Sequence, residues 1–298
     1  MTARPQKADV IVIGGGLAAH ALALLLTRKG RRVALLAERG PLPAALPDFV
    51  LWQPAGPRLT AALRGGETLD ALIESLPGLT WTRLEARLRL APEDERELAA
   101  RLALAGERHR TMRAPGRSPL LHGVLFETGQ ALPAMAQAIE AGGGIVERAA
   151  RVRGISVIGD EVLGAVSDAA RWDALAVVNA ADDERAMAMA RMAREPLDLT
   201  FVPSPLVHCQ PSDEAAAATL HGDALWSDGT GGVYLLGDSP LLQPAAACRT
   251  LAMVTRSALT QPVLVGPAAR VRGSWRLLGT AGWPFVALGA AAQLADQL

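Results

Sequence analysis

The stretch Asp9-Val-Ile-Val-Ile-Gly-Gly-Gly-Leu-Ala-Ala-His-Ala-Leu-Ala-Leu-Leu-Leu-Thr-Arg-Lys-Gly30, continued by Arg31-Arg-Val-Ala-Leu-Leu-Ala-Glu38, reads as strand, glycine turn, helix and second strand. Val10 to Ile13 is a short apolar run rich in β-branched residues, the pattern of a strand buried on both faces of a parallel sheet. Gly14 permits a tight turn, Gly16 lets the backbone approach a pyrophosphate, and Ala19 is small enough for the helix to lie close to the strand. With Gly15, Leu17 and Ala18 these residues make a dinucleotide turn. The helix beginning near Gly16 aims its unpaired N–H groups and positive dipole end at the phosphates. Gly30 stops that helix. Glu38, 24 positions after Gly14 and followed by Arg39, ends the second strand where a carboxylate accepts hydrogen bonds from ribose hydroxyls and disfavours a 2′-phosphate.

Working outward, the 298 residues suffice for one large domain or two smaller ones. Lys+Arg and Asp+Glu balance at 30 each, which removes the basic footprint expected of a nucleic-acid binder. Cys209 and Cys248 form neither a Cys-x-x-Cys nor a disulfide framework, so a cytoplasmic protein is expected. The N-terminal segment lacks the apolar core of a secretion signal, and no run is long enough for a membrane span. The five histidines show no metal-ligand spacing, and His20 is read as a core or cofactor-side residue inside the first helix.

Downstream, residues 40–57 are Pro-rich and read as an extended loop without regular structure. Leu59 to Leu76 carries a helical apolar stripe interrupted at Gly65-Gly66. Trp81 to Leu90 alternates as a strand, and Pro92-Glu-Asp-Glu95 opens a helix to Ala105. Arg108 to Ser118 reads as a basic loop. Gly123 to Phe126 is a strand, Gln130 to Ala141 a helix, and Ile145 to Val152 one strand. A hairpin turns at Gly159-Asp160-Glu161. Ala174 to Ala181 is a buried strand and Asp183 to Ala193 a helix. Short strands follow, including Leu199 to Val202, Leu206 to Cys209 and Gly232 to Leu236. Arg270 to Leu278 is a strand, and Gly279-Thr-Ala-Gly282 turns into a final Ala-rich helix.

In this order the elements resemble the FAD-dependent oxidoreductases of the D-amino acid oxidase and glycine oxidase family, as a short and divergent member. Thr82 to Leu90 with Pro92-Glu-Asp looks like the start of that family's substrate domain, and Phe126-Glu-Thr-Gly-Gln-Ala-Leu-Pro133 like the return to the flavin domain. The resemblance implies an α/β fold: a Rossmann-like FAD-binding domain with a smaller α+β substrate domain on a mixed or antiparallel sheet. The FAD-binding parts are then 1–77, 123–194 and 269–298, and the substrate parts 78–122 and 195–268. It also implies non-covalent FAD held by the glycine turn, Glu38, Arg39, the backbone of Val152, Ala180 and Ala181, and the turn Gly279, Thr280, Ala281 and Gly282. The last turn's helix N-terminus is expected to face the isoalloxazine carbonyl.

Such chemistry is carried by the flavin, with the protein positioning an amine or amino acid substrate. A bidentate arginine is the expected carboxylate anchor, for which Arg249, Arg256 and Arg276 are candidates, and Tyr234 is placed to assist. The sequence differs from the family in having Asp182 after Asn-Ala-Ala, a Pro-rich stretch after the second strand, and Thr280, Trp283 and Pro284 in the C-terminal turn. Asp182 either opposes the diphosphate or caps the helix that follows. Three readings stand: an FAD-dependent oxidase or dehydrogenase; a degenerate flavin-fold subunit acting through a partner protein or a second copy; and an NAD-dependent enzyme, which would need neither the Asn-Ala-Ala strand nor the C-terminal turn.

Overall fold

Every residue of Val10–Ile13 (β2) is buried, because its sheet is covered on both faces. The computed structural model describes residues 5–38, 46–53, 55–77, 79, 81–87, 92–105, 120–181, 184–195, 197–209, 224–227, 233–236, 248–258 and 262–298. On one side Val10 and Val12 join a core with the helices α1 (Leu17–Arg28), α2 (Pro57–Ser75), α4 (Thr128–Ala141) and α6 (Pro284–Ala295). On the other, Ile11 and Ile13 pack with Val162, Ala165 and Trp172. That double burial explains why the strand shows no polar alternation.

β2 lies between β3 (Val33–Glu38) and β11 (Ala176–Asn179). β7 (Ile145–Ala150) lies beyond β3, and β17 (Ser274–Leu278) beyond β11. These five run parallel, and β16 (Leu264–Pro267) closes the edge antiparallel to β17. The layer over Ile11 and Ile13 is a small sheet of β8 (Val152–Ile158), β9 (Glu161–Ser167) and β10 (Arg171–Asp173), with β1 (Gln6–Lys7) parallel to β10. A third sheet is antiparallel throughout and runs in the order β15 (Cys248–Ser257), β12 (Phe201–Cys209), β14 (Val233–Leu236), β13 (Ala224–Ser227), β5 (Trp81–Arg87), β6 (Leu120–Phe126), β4 (Leu46–Asp48). The fold is α/β with a parallel Rossmann-like sheet beside an antiparallel one. The cut expected between residues 122 and 123 falls inside β6.

Several expectations are corrected. Residues 46–52 of the Pro-rich stretch are ordered into edge strand β4 and a 3-10 turn, Val50–Trp52. Pro47 is accommodated because an edge strand needs donors on one side only. The helix read over 59–76 is α2, and the glycines that break its apolar stripe have a packing reason. Gly65 is where α2 and α6 meet backbone to backbone: a Cβ on Gly65 would lie 1.8 Å from the Phe285 carbonyl oxygen, and one on Gly289 1.8 Å from that of Ala61. The strand read over 145–152 divides into β7 and β8, with Ala149 at φ +57° beside the break. The two strands expected at 199–209 are one, β12, with a bulge between Leu206 and Val207. β10, β15 and β16 were not foreseen. The basic loop expected over 108–118 lies outside the described residues. At the far end of α6, Asp296 pairs with Lys29, which caps α1, at 2.7 Å and with Arg64 of α2, fastening the three helices; both bonds hold its carboxyl below the usual range.

Candidate functional site

The site grows from the end of β2. Gly14, at φ +153°, donates its N–H to the Leu36 carbonyl at 3.1 Å, and a Cβ there would lie 2.2 Å from the Ala180 oxygen at the end of β11. A Cβ on Gly15 would lie 2.1 Å from the Glu38 carbonyl oxygen. The first two glycines are therefore fixed by the backbones of β11 and β3. Gly16 caps α1 with no side-chain hydrogen bond, and no acidic residue lies in the first turn. The positive end of α1 is thus left for an external anion. His20 is buried in the same helix and donates from Nδ1 to the Gly16 carbonyl at 2.9 Å, and burial holds its pKa below the ordinary value. It stiffens the cap and is a satisfied core residue.

In front of this turn is a cavity partly open to solvent. Gly14, Gly15, Gly16, Leu17, Ala18 and Glu38 form one end of its wall. Ala181 follows β11 and Arg185 lies on α5 (Glu184–Met192), and Thr280, Ala281, Gly282, Trp283, Pro284 and Ala287 come from the C-terminal turn and α6. Leu46, Thr128, Leu132, Val254 and Thr255 complete it. Glu38 is buried; its Oε1 accepts the Val152 N–H at 3.3 Å and its Oε2 lies 3.8 Å from Arg185. The Thr280 hydroxyl oxygen is buried with no hydrogen-bond partner among the described residues, which marks a place where a polar ligand atom fits.

Behind the C-terminal turn is a buried polar cluster. Asp48, fully buried at the end of β4, accepts the N–H of Phe49 through Oδ1 and that of Phe285 through Oδ2, each at 2.8 Å. A residue distant in sequence thus caps α6. Burial pushes its carboxyl up to about 7, against the pull of those two N–H bonds and of Arg58. Arg58 donates to Gln53 Oε1 at 3.1 Å and to the Gly279 carbonyl at 3.0 Å, and burial lowers it to about 10. The guanidinium carbons of Arg58 and Arg256 lie 5.7 Å and 5.3 Å from the Trp283 ring centre, within cation–π range. The indole N–H of Trp283 donates to the Ser257 carbonyl at 2.9 Å. Trp283 is therefore a fixed aromatic wall.

Of the residues singled out from sequence, Gly14, Gly15, Gly16, Leu17, Ala18, Glu38, Ala181, Thr280, Ala281 and Gly282 converge on this one cavity. Ala19 is fully buried behind the turn, and the Ala180 N–H is donated to Ile13. The Val152 N–H is taken by Glu38, and Gly279 is placed beside the cavity by its bond from Arg58. Arg256 stacks on Trp283 and donates from Nε to Ser204 at 2.9 Å. Arg276 donates to Pro267 and lines a separate, smaller depression beside Asn179 and Glu195. The backbone register puts Tyr234 and Arg249 in one cross-strand row with Trp226 and His208. Arg39 and Asp182 lie outside the described residues.

The helix-terminus donation expected at α6 is altered: Pro284 has no N–H and the Phe285 N–H is engaged by Asp48. Asp48, Arg58 and Arg185 were missed from sequence. One signal existed for Arg58, a cation in the first turn of a helix, where the dipole disfavours it and a specific partner is needed.

Neither a protein-family model nor a curated protein matches the sequence. Solved structures do match the fold. L-proline dehydrogenase from P. horikoshii superposes with TM-score 0.72 at 15% identity, over 98% of this chain and 93% of that chain. Glycine oxidase from Bacillus cereus gives 0.66 at 16%, over 97% and 96%. L-alpha-glycerophosphate oxidase from Mycoplasma pneumoniae, with FAD bound, gives 0.72 at 14%, over 98% and 94%. The resemblance drawn from the sequence holds for the fold.

Proposed function

We propose that the chain is an FAD-dependent oxidoreductase that takes a hydride from the carbon next to nitrogen in a small amine or amino acid. The observation that carries this is the convergence of the glycine turn, Glu38 and the Gly279–Gly282 turn on a single cavity. The residues fit the group: the α1 N-terminus is uncapped by side chains, and the Thr280 hydroxyl awaits a partner. In this reading Gly14 to Ala18 hold the diphosphate, and Glu38 orients ribose hydroxyls while its other contacts keep it in place. Ala181 and the turn from Thr280 to Gly282 seat the remainder. When bound, FAD supplies the two-electron acceptor, the substrate nitrogen losing a proton to water as an imine forms. The apolar wall of Leu46, Leu132, Val254 and Trp283 excludes water around the substrate carbon.

The division into an FAD-binding unit, built from the parallel sheet and its helices, and a substrate unit on the antiparallel sheet belongs to this proposal. So do the roles of Tyr234 and Arg249 as substrate contacts and a cytoplasmic location. No described helix is long and apolar enough to cross a membrane. A second reading, a flavin-fold subunit with little catalysis of its own, is favoured by Asp48: it takes a donor of α6 that a flavin carbonyl could otherwise use.

Purified protein is expected to show flavin absorbance or to gain it on addition of FAD; a preparation that stays colourless sinks both flavin readings. Anaerobic bleaching by a panel of small amines and amino acids then separates them, since the subunit reading predicts bound but unreduced flavin. Gly16→Val is expected to abolish FAD binding with the circular dichroism spectrum unchanged, because the side chain enters the space the diphosphate needs. Unchanged affinity would show that the cofactor is not held at this turn. Glu38→Ala is expected to weaken FAD about 10- to 100-fold, as lost charge-assisted bonds do.

A further inference from the structure

A diphosphate carries about two negative charges, and the glycine turn answers them with backbone dipoles alone. A dipole end is equivalent to roughly half a charge. The structure supplies one cation. Arg185, on the first turn of α5, lines the cavity together with Gly14, Gly15, Gly16 and Ala181, and it is the only Lys or Arg among the described residues that does.

We infer that Arg185 is a diphosphate-binding residue of the dinucleotide cavity, an inference that rests on the FAD reading above. Three observations bear on it. Its guanidinium is 3.8 Å from Glu38 Oε2, beyond direct hydrogen-bonding distance but close enough to be oriented by that carboxylate. Its side chain is 44% exposed and so reaches the solvent-facing part of the cavity. Glu38 is 7% exposed on the same measure and held by the Val152 N–H, so the carboxylate is a fixed point beside the arginine. A guanidinium at that place bridges the two anionic parts of the site, the carboxylate that takes the ribose and the phosphates beside α1. Its planar fork suits phosphate oxygens better than an ammonium does.

The test uses three probes on the intact chain, FAD, ADP and adenosine, with wild type, Arg185→Gln and Arg185→Lys, by calorimetry and flavin fluorescence at two salt concentrations. Wild type binding FAD and ADP establishes the site; if it binds neither, the FAD reading itself fails, separately from Arg185. Arg185→Gln is expected to weaken FAD and ADP about 10- to 100-fold while leaving adenosine unchanged, with a smaller salt dependence than wild type. Arg185→Lys is expected to recover part of the loss. Equal weakening of ADP and adenosine overturns the inference, because the arginine then acts by holding Glu38 against the ribose. Equal FAD and ADP affinities in wild type and Arg185→Gln at low salt overturn it as well.

Discussion

Asp48→Ala is expected to destabilise the protein by about 2–6 kcal/mol, the cost of leaving two buried N–H donors without acceptors. The reason lies in what the carboxyl holds together. Its loss leaves the Phe49 and Phe285 N–H groups without acceptors and removes a carboxyl whose charge acts on the buried Arg58. Each orphaned donor alone costs about 1–3 kcal/mol. Because α6 starts at this bond and carries the wall from Trp283 to Ala287, FAD affinity should fall together with the urea midpoint. Asp48→Asn keeps the volume but offers one carbonyl oxygen for two donors, so an intermediate loss is expected.

The same residue gives a pH signature. Its folded carboxyl is raised to about 7 from an ordinary value of 3.8. The folded state therefore holds the proton more tightly than the unfolded chain. The resulting stability is full below the unfolded value and is lost as pH rises through the folded one. Urea midpoints should decline in wild type between about pH 4 and pH 7 relative to Asp48→Asn. Parallel profiles for the two proteins would show that Asp48 is not the titrating group. His20, buried and held below its ordinary value, acts in the opposite sense in both proteins: its contribution is complete above 6.5 and is lost as pH falls below it.

The second large effect is steric. Gly289→Ala is expected to cost about 3 kcal/mol or more, even though alanine by itself favours a helix over glycine by about 1 kcal/mol. The new methyl would sit 1.8 Å from the Ala61 carbonyl oxygen and 2.8 Å from the Gly65 nitrogen, backbone atoms that can move only if α2 moves. Gly66, one position along, is the control: a Cβ there meets nothing within 4 Å, so Gly66→Ala should stabilise by about 0.5–1 kcal/mol. If both variants shift the chemical denaturation midpoint the same way, the close approach of α2 and α6 is not the constraint. Since α6 also lines the cavity, Gly289→Ala should weaken FAD binding, and Gly66→Ala should not.

The sequence by itself determined the parallel half of the fold and one end of the site. Periodicity, glycine placement and the terminal acid are local signals, and from Val10 to Glu38 they all agree. The run Val-Ile-Val-Ile needs two covered faces, and the glycine turn and Glu38 meet where the strand order brings β2, β3 and β11 side by side. Only the tertiary structure decided the rest, because those groups are defined by partners far away in the chain. Asp48 sits in a Pro-rich stretch that reads as loop, and its role comes from Phe285, which lies 237 positions on. Gly65 looks like a helix breaker until Phe285 and Gly289 show that it is a contact surface. Arg276 and Arg256 look equivalent as anchors in sequence, yet one lines a separate depression and the other is stacked on Trp283. Arg185 is an ordinary helix charge until the fold brings it to the cavity that the glycine turn also lines. Local patterns encode backbone geometry, whereas the partner of a buried charge or the atom facing a glycine is set by packing between segments that the chain order does not relate.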